Sequence, residues 1–244
     1  MSSVEIVYCF AVVVLAYTLR GGTGFGGVLV MPLLAVVVPM KVLVPAWSLL
    51  SVIAGAAILR REYQHIAWAD FLRLMPTCML GIAFGLYFYE LFDSKALGRG
   101  LGALVVLYGA LSLRSAMQPI PMWHMPPKSI GRLVGLIAGL VGTTFGALTS
   151  LSFAMYFDAI RMPMDQFRAT MSASLVAMGV VRGFGYFVMG EYTGDVWLLL
   201  AMTLPPAAIG IYFGNRFYDE LDERIFRPIV SLTLIVCGFV LMVK

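Results

Sequence analysis

The sequence predicts an all-α integral membrane protein built from two inverted structural repeats, each a Gly-broken helical hairpin plus three transmembrane helices. Three observations carry this: long uncharged runs, an internal duplication, and a doubled glycine-rich interruption. Of 244 residues, 61% are apolar and 12% charged, with mean hydropathy +0.91, whereas soluble domains carry about 25% charged residues.

Uncharged runs cover residues 6–19, 21–40, 42–59, 74–89, 101–113, 133–157, 196–215 and 229–243, and 169–190 is interrupted only by Arg182. A helix needs about 20 apolar residues to cross the hydrocarbon core. Only helices or closed barrels satisfy their backbone there, and these runs are too long and too evenly apolar for the alternating strands of a barrel. Residues 1–4 lack a positive segment, so the first run reads as a retained span and not a cleaved signal.

The duplication is visible by eye. The stretch from Pro76 through Gly81 to Gly85 matches that from Pro205 through Gly210 to Gly214. Upstream, Gly22-Thr23-Gly24-Phe25-Gly26 matches Gly142-Thr143-Thr144-Phe145-Gly146. The first repeat is read as residues 1–113, the second as 130–244, and the segment 114–129, with Pro119, Pro121, Pro126 and Pro127, as the loop between them.

Lys and Arg distinguish inverted from parallel halves, because short cytoplasmic loops are enriched in both. If each broken segment returns to its starting side, the cytoplasm receives Arg60, Arg61, Arg73, Arg114, Lys128, Arg132, Arg161, Arg168, Arg216, Arg224 and Arg227. Only Lys41, Lys95, Arg99 and Lys244 then lie outside. Broken segments that cross would leave the two sides even, so the inverted arrangement is preferred, with binding expected near the midplane.

Five glycines within residues 21–27 disfavour continuous helix, so the chain is expected to unwind there. The helix starting near Val28 would then aim its amides and positive dipole end at a cavity suited to an anion. The second block offers the same device with Thr143 and Thr144 hydroxyls. Two such ends are expected to share one central anion site. The competing reading, glycines that only let helices pack closely, is preferred for Gly131, Gly135 and Gly139, for Gly81 and Gly85, and for Gly210 and Gly214. Residues 22–27 also satisfy GxGxxG, but no strand precedes them and no acid lies between Glu5 and Glu62, so a dinucleotide site is rejected.

An arginine near the bilayer centre costs about 2.5–3.5 kcal/mol and marks a functional candidate. Arg182 and Arg20 could each present a forked guanidinium to an oxyanion, or could snorkel to an interface. The substrate-binding candidates are therefore Arg20, Gly22, Thr23, Gly24, Phe25, Gly26, Gly27, Gly142, Thr143, Thr144, Phe145, Gly146 and Arg182. Asp158, Asp165 and Glu191 read as loop residues, and His65 and His124 fall in polar segments without a distinctive signal. Trp47, Trp68, Trp123 and Trp197 read as interfacial aromatics.

Cys9, Cys78 and Cys237 sit singly in apolar runs, which suggests packing and neither a metal site nor a disulfide. No cofactor is expected. A net charge of +4 fits loop bias better than nucleic-acid binding. The absence of HExxH, GxSxG and paired intramembrane aspartates argues against an enzyme.

The block Arg20-Gly-Gly-Thr-Gly-Phe-Gly-Gly27, followed by Met31-Pro32-Leu33-Leu34, resembles the glycine-rich block of the TauE/SafE sulfite-exporter family, also called toluene-sulfonate uptake permeases. The duplicated layout is similar over essentially the full chain. In the second block Ala147 and Ser152 stand where the pattern has a further glycine and proline. The resemblance implies a secondary transporter, an exporter of sulfite or organosulfonates, in the bacterial inner membrane. Its partners would be the lipid bilayer and a small anionic substrate, and it could form a homodimer. The alternative is an anion channel, or a permease for another small carboxylate or oxyanion.

Overall fold

A computed structural model describes residues 3–23, 27–117, 127–216 and 223–243. Among them are ten α-helices and no strand: α1 Ser3–Thr23, α2 Gly27–Ala35, α3 Met40–Glu62, α4 Trp68–Leu91, α5 Ser94–Met117, α6 Pro127–Phe145, α7 Thr149–Ala159, α8 Met164–Val188, α9 Gly194–Arg216 and α10 Glu223–Val243. A single 3-10 turn, Tyr63–His65, joins α3 to α4.

Helix lengths alone separate spans from half-spans. Met40–Ala57, Trp68–Leu91, Ser94–Arg114 and Asp165–Val188 are long and apolar enough to cross a membrane, and Glu5–Thr18, Ile130–Phe145, Gly194–Gly210 and Leu232–Val243 form shorter apolar stretches. At 1.5 Å per residue, α2 with 9 residues and α7 with 11 reach roughly half of the ~30 Å core. Neither can cross it. Phe84, Leu107, Phe184 and Phe239 are each more than half exposed, an outward apolar surface that lipid covers and water would not.

Five helices precede residues 118–126 and five follow, each set in the order long, short, long, long, long. Two sequence expectations shift at the boundaries. Arg114–Met117 and Pro127–Ser129 are helical, not loop, because a proline at the first helical position gives up no hydrogen bond. Gly21–Thr23 and Gly142–Phe145 are likewise helical. Gly24, Phe25 and Gly26 lie outside the described residues, and in the second block the break falls later, at Gly146–Leu148.

The helices form two compact units, residues 1–43, 92–122 and 201–244, and residues 44–91 and 123–200. Each unit takes helices from both sides of the central segment.

In the first unit, Tyr8 at the beginning of α1 donates to Leu33 O on α2 at 3.1 Å, so α2 comes back along α1. Helices α5 and α10 run antiparallel. A Cβ on Gly102 would lie 2.7 Å from Gly238 O and near Leu241, while one on Gly238 would meet Gly102 O and Val106. Gly210 of α9 seats against Val14 and Tyr17 of α1 with equal intimacy.

In the second unit, α4 and α6 run parallel and touch backbone to backbone. A Cβ on Gly135 would come 2.7 Å from Leu74 O, and one on Gly139 would come 2.3 Å from Cys78 O; Gly85 faces Thr143. Small residues allow this approach, as membrane interfaces require. Helix α7 runs back along α6, with Thr149 against Gly142 and the Tyr156 ring against Gly131. The α6–α7 segment therefore returns to its starting side.

Helix α8 runs parallel to α4 and antiparallel to α3, held at one end by the Ala67 amide donating to Thr170 Oγ1 at 2.9 Å. At that same end Tyr156 donates to Asp70 at 3.1 Å, and Arg73 pairs with Asp70 at 2.7 Å. This end gathers Arg60, Arg73, Arg132, Arg161 and Arg168. The opposite end, with Glu90, Glu191 and Asp195, carries no Lys or Arg among the described residues.

Candidate functional site

The break between α6 and α7 is the centre of the second unit's polar chemistry. Gly146 has φ 69° and Leu148 φ 64°. Glycine takes the left-handed region freely, but a leucine there is a local strain of the kind that collects at functional sites. Leu148 also occupies the N-cap of α7 and supplies no side-chain cap.

A helix that ends in buried, apolar surroundings must find donors for its last carbonyls. Here α8 provides them from two residues one turn apart. Arg182 Nη1 donates to Gly142 O at 2.8 Å and Tyr186 Oη donates to Thr143 O. Gly146 N also donates to Gly142 O, at 3.1 Å. Arg182 Nη2 donates to Ser51 Oγ at 2.9 Å, and Ser51 Oγ passes its own proton toward Ser48 O at 2.8 Å. Arg182 is 5% exposed and Tyr186 is fully buried, so this guanidinium does not snorkel.

A second layer closes the exit end of α8. Tyr192 shares a 3.2 Å hydrogen bond with Ser48 Oγ and donates to Gly183 O at 3.2 Å. Burial pushes the Tyr192 phenol up, which keeps it a neutral donor. Tyr89 donates to Glu191 at 3.3 Å and stacks at a tilt on Tyr186, ring centres 4.9 Å apart.

The predicted site residues separate as follows. Gly142, Thr143, Thr144, Phe145 and Gly146 lie together at the break, with Arg182 bonded to the first. Thr144 Oγ1 donates to Gly85 O at 3.3 Å and the Thr143 side chain packs on Gly85, so both threonines turn toward α4. Arg20, Gly22 and Thr23 fall in α1, Gly27 opens α2, and Gly24, Phe25 and Gly26 are outside the described residues.

Ser48, Ser51, Thr149, Tyr186 and Tyr192 were not singled out by sequence. Their signal was present but faint. Ser48 and Ser51 are the only hydroxyls in the run 42–59, one turn apart, and Tyr186 follows Arg182 by four residues. The buried hydroxyls Thr143 Oγ1, Thr149 Oγ1 and Ser174 Oγ have no hydrogen-bond partner among the described residues.

Among the described residues the fold is all-helical, with a returning short helix and a buried arginine at the break, and four helices long and apolar enough to cross a membrane define a polytopic membrane protein. Residues 9–241 match the family described as sulfite exporter TauE/SafE, and the chain belongs to that family. No individual curated protein and no solved structure matches it. The protein is thus a membrane transporter of the sulfite-exporter type.

Proposed function

We propose that this transporter exports a small sulfur-containing oxyanion, sulfite or an organosulfonate, from the bacterial cytoplasm across the inner membrane. The observation that carries the reading is the broken end of α6, where strained backbone, a buried guanidinium and the start of α7 converge at Gly142–Thr149. Positive dipole ends and forked guanidinium groups favour sulfur oxyanions. The site comprises Gly142, Thr143, Thr144, Phe145, Gly146 and Arg182. The corresponding residues of the first half are Arg20, Gly22, Thr23, Gly24, Phe25, Gly26 and Gly27.

Two inverted repeats, 1–113 and 130–244, account for the architecture. Three features support this: the shared order of helix lengths, short helices that come back along the preceding long one, and the antiparallel course of α5 and α10, which hold the same place in the two halves. The arginine-bearing end of the second unit then faces the cytoplasm. Transport proceeds by alternating access.

The test is flux into proteoliposomes of sulfite, sulfoacetate and taurine, for the wild type and Arg182→Ala. Saturable flux with counter-transport is expected, and at least tenfold less for the variant. Unitary currents would favour a channel. An Arg182→Ala protein that binds every transported anion as tightly as the wild type would make Arg182 purely structural.

A further inference from the structure

Several helical hydroxyls in this protein share a habit. Thr18 donates to Val14 O, Ser48 to Pro45 O, Ser51 to Ser48 O, Thr77 to Leu74 O and Ser152 to Leu148 O. Each folds back on a carbonyl three or four residues earlier, the usual way to satisfy a hydroxyl inside an apolar helix.

Thr149 does not follow that habit: it is the first residue of α7, and the preceding helix has already ended at Phe145. The residue is nonetheless only 7% exposed, and its Oγ1 has no hydrogen-bond partner among the described residues. A buried, unmade hydroxyl bond is costly. The hydroxyl lies where a side chain at residue 142 would begin, since a Cβ on Gly142 would fall 2.0 Å from Thr149 Oγ1. Gly142 O is the oxygen held by Arg182. Around this hydroxyl, then, are the opening turn of α7 with no side-chain cap, the left-handed Leu148 and the guanidinium's anchor point.

We infer that Thr149 Oγ1, together with the first-turn amides of α7, contacts the transported oxyanion directly and sets affinity for it. This rests on the anion-transport reading above and assigns the ligand contact within it. The hydroxyl offers one O–H and the helix start offers amides, a donor set that fits a compact anion with two or more acceptor oxygens.

The experiment measures sulfite binding and sulfite flux for full-length wild type, Thr149→Val and Thr149→Ser, with thermal midpoints of each in the absence of sulfite. Thr149→Val is expected to lose about 10- to 100-fold in affinity, the effect of removing a hydrogen bond to a charged group. Its thermal midpoint should be unchanged or higher, because the variant no longer buries an orphan hydroxyl. Thr149→Ser should bind within about threefold of wild type, since it keeps the donor. Should the valine protein fail to fold, Thr149→Ala takes its place with the same expectation. Wild-type binding with an unchanged valine or alanine variant overturns the assignment of Thr149 alone. A wild type that neither binds nor moves sulfite, sulfoacetate or taurine overturns the transport reading, and this contact with it.

Discussion

Replacing Gly139 by alanine tests the backbone-to-backbone contact of α4 and α6 in the second unit. A methyl at this position would sit 2.3 Å from Cys78 O, and 3.0 Å from both Gly81 Cα and Ile82 N. All three obstacles are backbone, so no side-chain rotation relieves them. Ordinary contact begins near 3.4 Å, and α6 must therefore withdraw from α4 by about 1 Å. Overpacking of this kind costs about 1–3 kcal/mol. The Thr144 hydrogen bond to Gly85 O, already 3.3 Å long, would break and remove about 1 kcal/mol more. Since α6 leads directly into Gly146–Leu148, the displaced helix carries the break with it. Thermal unfolding of the purified protein in detergent should show a clearly lowered midpoint, and sulfite flux should fall. Gly98→Ala provides the contrast, because its methyl would meet only Met40 Cγ at 4.0 Å and a helical Gly→Ala exchange is worth up to about 1 kcal/mol in the favourable direction. If Gly139→Ala melts with the wild type or above it, the backbone-to-backbone packing of α4 on α6 is refuted.

Two further outcomes are expected. Gly146→Ala must hold an alanine at φ 69°, costing about 1–2 kcal/mol; the variant should melt earlier in detergent and transport more slowly, and a wild-type midpoint would contradict the left-handed turn. Arg161→Cys and Asp195→Cys lie at opposite ends of the second unit, so in right-side-out vesicles a membrane-impermeant maleimide should label position 195 and leave 161 unmodified; equal labelling of both would remove the proposed orientation.

Membrane class, the helical nature of the spans and the family were legible in the amino-acid string. Their physical basis is additive: each apolar residue contributes its own transfer energy, and a run of about 20 suffices to place a helix in lipid. The packing role of Gly81, Gly85, Gly135, Gly139 and Gly210 was legible too, because spacing by four sets small residues on one helix face. That something interrupts the helix near Gly142–Gly146 could be read from composition, but the position of the break could not. Glycine and threonine tolerate helix once their carbonyls find donors, and the donors come from Arg182 and Tyr186 on a helix some forty residues further along the chain.

The placing of the turn at Gly146–Leu148, the burial of Arg182 against a carbonyl and a serine, and the stranded hydroxyl of Thr149 were decided only by tertiary structure. Whether a hydroxyl or a guanidinium is satisfied depends on which distant backbone lies within about 3 Å of it. Residue type along the chain sets what a group can donate; the packing of α3, α6, α7 and α8 around one broken end sets what receives it.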